Sequence, residues 1–99
     1  MTITKTAEGS ALSLALEGRL DTTTAPQLEA ELQDSIEGVT DLVMDFEKLE
    51  YISSAGLRVI LSAQKMMNKA QGKLIIKNVC ADIMEVFDIT GFADILTIV

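Results

Sequence analysis

The chain has 99 residues, 48% of them hydrophobic, and carries a formal net charge of −7. That length fits one domain spanning residues 1–99, with one core built on Leu, Ile, Val and Met, because aromatics are only 4% and Trp is absent. Such acidity argues against direct nucleic-acid binding and against an anionic membrane surface, while a basic protein partner fits easily and solubility alone is a sufficient reason for the charge.

Met1 to Lys5 alternates and is rich in Thr and Ile, which predicts a short strand. Residues 7–10, "AEGS", read as a turn. Ala11 to Glu17 sets Leu12, Leu14 and Leu16 against Ser13, Ala15 and Glu17, the period of two of a second strand. The two strands are expected to form a hairpin at a sheet edge. "GRLDTTTAP" leaves that strand. Thr24 is a predicted N-cap, with Pro26 early in the helix and Gln27 completing a capping box. Leu28, Leu32 and Ile36 stack on one face of this helix, and Gly38 ends it.

"DLVMDF" (residues 41–46) predicts a buried strand, "EKLE" a connection, and "YI" a brief extended piece. A second helix is predicted from the serines at 53 and 54 to Gln71, with Gly72 as its stop. "KLIIKN" (residues 73–78) reads as a strand and "ADIMEVFDITG" (residues 81–91) as a third helix. Gly91 suits the left-handed cap, with Phe92 in contact beyond it. "DILTIV" is a final strand or an extended tail. Strands alternating with helices imply an α/β fold: a small mixed sheet, an antiparallel hairpin at its N-terminal edge, and helices packed on it.

Several chemistries lack their residues. There is no His, so the commonest general base and metal ligand is missing. Ser53 and Ser54 have no base nearby in sequence, and the glycines form no phosphate-binding loop. Asp41, Asp45 and Glu47 fit no metal-ligand spacing and read as solvated loop carboxylates. No cofactor, metal or enzymatic activity is expected. Cys80 is the single cysteine, so no intrachain disulfide can form. It is read as a small buried or capping residue. No apolar run approaches the ~20 residues that cross a bilayer, so the expectation is a soluble, cytoplasmic protein without membrane insertion.

On a helical wheel the second helix divides cleanly. Gly56, Ala63 and Ala70 share a narrow arc flanked by Val59, Ile60, Met66 and Met67, the predicted packing face. The opposite arc holds Ser54, Arg58, Ser62, Lys65 and Lys69. Lys65 and Lys69 read as a solvated face. Arg58 lies one turn after Ser54 and can meet a charge placed there. The serines stand where the first helical amides are unpaired and the dipole is positive, which suits an anion; serine is also simply a favoured N-cap.

Four pieces in order, "EGRLDTTTAP", "VMDFEKLEYISSAGLRVIL", "GKLIIKNV" and "VFDITGF", resemble the STAS domain of bacterial anti-sigma factor antagonists, over nearly the whole chain. The resemblance implies a STAS-like fold and a partner-switching role. In that family the unphosphorylated domain binds an anti-sigma factor that is also a serine kinase. This frees the sigma factor. Phosphorylation of one serine abolishes binding, and a PP2C-type phosphatase restores it. The matching serine is Ser54. Ser53 stands where the family's commonest pattern has Asp, which makes it a rival acceptor ranked behind Ser54. The resemblance also assigns partner contact to Asp21, Thr22 and Thr23, whose competing reading is turn and cap chemistry, and extends it through Ser53, Ser54, Arg58 and Ser62. The alternative reading keeps the fold and makes the chain a cytoplasmic subunit of a membrane transport system of the lipid-trafficking type.

Overall fold

In the computed structural model, which describes residues 1–99, Leu12, Leu14 and Leu16 form part of the buried face of a five-stranded sheet. Its strands are β1 (Thr2–Glu8), β2 (Ala11–Leu20), β3 (Asp41–Ile52), β4 (Lys73–Lys77) and β5 (Thr97–Ile98), side by side in that order. β1 and β2 pair antiparallel; the other three neighbour pairs are parallel. Parallel neighbours need crossovers, and α1 (Ala25–Ser35), α2 (Ser54–Lys69) and α3 (Ala81–Thr90) supply them. A short 3-10 turn, Phe92–Asp94, precedes β5. This is the mixed α/β sheet with a hairpin edge that the sequence predicts.

The sheet is covered on one face. Leu42, Met44 and Phe46 of β3 and Leu74 and Ile76 of β4 are buried with the β2 leucines. Their alternates Ser13, Ala15, Val43, Asp45 and Ile75 are only half-buried. Phe46 meets Phe87 of α3 with ring centroids 6.4 Å apart. Burying a side chain of this size contributes about 1.5–3 kcal/mol.

Several boundaries differ from the sequence expectation. β1 runs on to Glu8, so the hairpin turn shrinks to Gly9 and Ser10, with Gly9 at φ 60. β2 continues to Leu20, and residues 47–50, expected as a connection, are strand. The cause is register. Glu17, Gly18, Arg19 and Leu20 pair with Lys48, Leu49, Tyr51 and Ile52, and shifts at Ala15/Glu17 and Gly18/Arg19 absorb the mismatch. Such bulges break the period of two, so Leu49 and Ile52 turn inward from a stretch that looks polar.

The second helix stops at Lys69, before the expected Gln71. Gln71 itself takes the left-handed conformation, at φ 58. Gly72 is needed for a different reason: a Cβ there would lie 2.6 Å from the Thr40 carbonyl oxygen. Ala70, placed on the packing arc from sequence, is exposed, whereas Gln64 is buried. Gly91 is left-handed at φ 81, and Phe92 beyond it is half-buried, as predicted.

Candidate functional site

β2 and β3 end together, Leu20 opposite Ile52. The two chain segments that leave them therefore emerge side by side. The tie is direct: the Ser53 N–H donates to the Leu20 carbonyl at 2.9 Å. Gly56 then lets α2 lie down on the same strand end. A Cβ on Gly56 would come within 2.7 Å of Leu20 Cγ and 3.0 Å of the Leu20 oxygen.

The two serines take different work. Ser53 is the N-cap, in extended conformation, and its hydroxyl accepts the Gly56 N–H at 3.3 Å. Its carbonyl accepts the Leu57 N–H at 2.9 Å. Ser53 is half-buried. Ser54 is the first helical residue. It is exposed, and its hydroxyl makes no hydrogen bond within the chain.

The 21–24 loop is organised by a carboxylate. Asp21 Oδ1 accepts the Thr23 hydroxyl at 2.7 Å, the Thr23 N–H at 3.0 Å and the Thr24 N–H at 3.1 Å. These bonds, the Thr23 hydroxyl foremost, hold the Asp21 carboxyl below its ordinary pKa against a smaller opposing effect of desolvation. The predicted capping box is absent. Thr24 stands at the N-cap without a capping bond. Its hydroxyl donates to the Arg19 carbonyl at 2.7 Å and accepts the Asp21 N–H at 2.8 Å. Gln27 is diverted to the Met1 carbonyl, 2.9 Å away. Asp21 has taken over the Thr24 N–H that Gln27 was expected to satisfy, and the Gln27 N–H goes instead to the Thr24 carbonyl at 2.9 Å.

Loop and helix meet. Thr22, Ala25, Pro26 and Glu29 on one side, and Ala55, Arg58 and Val59 on the other, line one shallow depression. Arg58 is exposed and makes no salt bridge. Ser62 is half-buried two turns along α2 and does not line the depression. The structure thus brings Thr22 and Arg58 to one depression, leaves Ser54 exposed beside its lining residue Ala55, spends Asp21 and Thr23 on loop shape, and spends Ser53 on the cap.

Sequence reading missed Pro26, Glu29 and Val59 as lining. The outward Glu29 and Arg58 on two neighbouring helices were the available signal. It also missed Arg19, whose guanidinium lies 4.1 Å from the Tyr51 ring centroid and whose Nε is 3.8 Å from Asp21 Oδ2. That pairing depends on the β2–β3 bulges and leaves no trace in the sequence.

Elsewhere, Asp45 is structural. Its Oδ1 accepts Asn78 Nδ2 and the Glu47 N–H, each at 3.0 Å. The Asn78 bond, chiefly, lowers the carboxyl's pKa. No group of three His, Cys, Asp or Glu residues is placed to hold a metal. Cys80, expected to be buried or capping, is exposed at the N-cap position of α3 and makes no side-chain cap bond. The α3 start is open to solvent, so nothing requires a small apolar residue there. No helix is long and apolar enough to cross a membrane.

Comparison with known proteins is consistent along the whole chain. A family model for the STAS domain matches residues 2–99. BtrV of Bordetella bronchiseptica, named a putative anti-sigma factor antagonist, is 40% identical over 88 residues, which span 88% of this chain and 76% of BtrV. The anti-sigma-B factor antagonist of Bacillus subtilis is 32% identical over 87 residues, 88% of this chain and 80% of that protein. The phosphorylated form of the Bacillus cell-fate determinant SpoIIAA superposes with a TM-score of 0.79 at 21% identity, over 99% of this chain and 91% of that one. At such identity the likeness is one of fold.

Proposed function

The chain belongs to the STAS domain family, and from that premise we propose that it is an anti-sigma factor antagonist switched by phosphorylation of Ser54. Unphosphorylated, it binds a cytoplasmic anti-sigma factor that is also a serine kinase, and so releases the sigma factor. It works by occupying its partner, without turnover of its own. The observation that carries this reading is the split between the serines: Ser53 occupied as the cap, Ser54 exposed with a free hydroxyl. Thr22, Arg58 and the rim between α1 and α2 form the contact surface around it; Asp21 and Thr23 hold the loop that presents Thr22.

In the switching step the Ser54 oxygen attacks the γ-phosphorus of ATP. The bond to the bridging oxygen breaks, ADP leaves and the hydroxyl proton is lost. The product carries roughly −1.5 to −2 extra charge at a surface that must be desolvated for binding. Arg58, one turn on and without a salt-bridge partner, can pair with the phosphate. A PP2C-type phosphatase returns the hydroxyl. Ser53 in the place of the family's Asp keeps the cap, since serine and aspartate are comparable N-caps, and removes one negative charge beside the acceptor.

The test pairs the chain with its cognate anti-sigma kinase and ATP and maps phosphate by mass spectrometry. Phosphate on Ser54, and binding lost in Ser54→Asp but kept in Ser54→Ala, is the expected result. Equal binding by all three forms overturns the switch.

A further inference from the structure

We propose that the outer edge of β1 is a self-association surface, where two copies pair antiparallel with Thr4 opposite its counterpart. A strand edge is a row of unpaired N–H and C=O groups that invites another strand, and proteins blunt it with proline, bulges, charge or brevity. β1 has none of the first two. It runs seven residues without proline, and its register with β2 holds from Thr2↔Glu17 to Glu8↔Ala11 without a shift. All its residues except Ile3 are exposed. The charge that should guard its middle, Lys5, is turned onto α1: Nζ lies 3.2 Å from Glu31 Oε1 and 3.3 Å from Ser35 Oγ. Lys5 keeps its charge but presents it toward α1 and not across the open face of the strand.

The sequence of β1 favours one register, and a register centred on Ile3 would pair only Thr2–Thr4 of the strand. Side chains on a shared face must match in parity. A register centred on Lys5 sets two like charges opposite one another, which is destabilising. Centring on Thr6 puts Thr4 against Glu8 and runs the pairing into the turn at Gly9. Centring on Thr4 gives Thr4–Thr4 and two Thr2–Thr6 pairs on the open face, with Lys5 facing Ile3 on the other. Cross-strand threonine pairs are favourable. The two-residue turn closes on Glu8 and Ala11, a hydrogen-bonded pair, so alternation leaves the backbone groups of Ile3, Lys5 and Ala7 pointing outward. Thr4 and its counterpart then form a non-hydrogen-bonded pair, with Cα atoms about 4.5 Å apart.

The dimer is weak. One short edge buries less than the roughly 1,200–2,000 Å² of stable interfaces. Each copy also brings a charge of −7, so salt strengthens association by screening. Sedimentation equilibrium from micromolar to millimolar protein should show the mass rising from 10.7 kDa toward twice that value, more steeply at high salt. Thr4→Lys places like charges at the two-fold axis from an exposed position. It should keep the wild-type circular dichroism and stay at single-chain mass. In a mixed sample of isotope-labelled and unlabelled chains, an intermolecular contact between Thr4 α-protons is expected. A wild-type mass of 10.7 kDa throughout, equal association by Thr4→Lys, or a dimer lacking the Thr4 contact each overturns the proposal.

Discussion

The Ser53 hydroxyl accepts the Gly56 N–H at 3.3 Å, and this bond assigns the two adjacent serines to separate roles. Ser53→Ala should cost about 1 kcal/mol of stability, as loss of an N-cap does, whereas Ser53→Asp should hold wild-type stability. Urea unfolding measures both. Under the cognate kinase, phosphate should remain on Ser54 in each variant. Transfer of phosphate to position 53 in the wild type would contradict the assignment.

Gly56→Ala tests the seat of α2. The new methyl meets the Leu20 side chain and, at 3.0 Å, the Leu20 carbonyl oxygen, which cannot swing aside. Overpacking of this kind costs about 1–3 kcal/mol. The start of α2 must lift, and Ser54 with it. Reduced stability together with weaker partner binding is expected; an unchanged melting temperature would mean that the strand end gives way freely.

Arg58→Ala should separate binding from folding. Arg58 is exposed and forms no salt bridge, so its removal should leave stability within about 0.5 kcal/mol. Affinity for the anti-sigma partner should fall about tenfold, a loss of roughly 1.4 kcal/mol. Titration calorimetry on the purified pair gives the number, and wild-type affinity in the variant would remove Arg58 from the interface.

Acid stability should depend on Asp21 and Asp45. Both carboxyls are held below their ordinary values, Asp21 mainly by the Thr23 hydroxyl and Asp45 mainly by Asn78. A depressed carboxyl binds its proton more weakly folded than unfolded. Its stabilisation is therefore complete above the unfolded pKa of about 3.9 and drains away as pH falls through the lower folded value. The Asp21→Asn/Asp45→Asn double variant should lose less stability than wild type below a pH of about 4. Parallel acid unfolding curves for the two proteins would show that other groups dominate.

The sheet, its three crossovers and the serine-bearing helix start were legible because each rests on local signals: alternation at Leu12–Leu16, periodicity after Ser54, a glycine at 91. What escaped the sequence rests on pairing across the chain. The strand from Glu47 to Ile52 exists because bulged β2 extends beside it. The capping box at Thr24 rests on local grammar and fails because Asp21, three residues earlier, takes the Thr24 N–H and the Thr24 carbonyl takes the Gln27 N–H. Gly72 was read as a conformational stop, but its role is to let Thr40 approach. In the candidate site, Ser54 and Arg58 follow from helical spacing, while the neighbourhood of Thr22 and Arg58 is set by two strands ending level.

Leu20 stands where both halves of that site begin. Its carbonyl takes the Ser53 N–H and bears the α2 start, while the loop beyond it is folded by its own Asp21 carboxylate. The loop is thus an interchangeable cassette, clipped to a fixed mount. On the proposed function, a change at its exposed Thr22 would alter partner choice while leaving Ser54 in place.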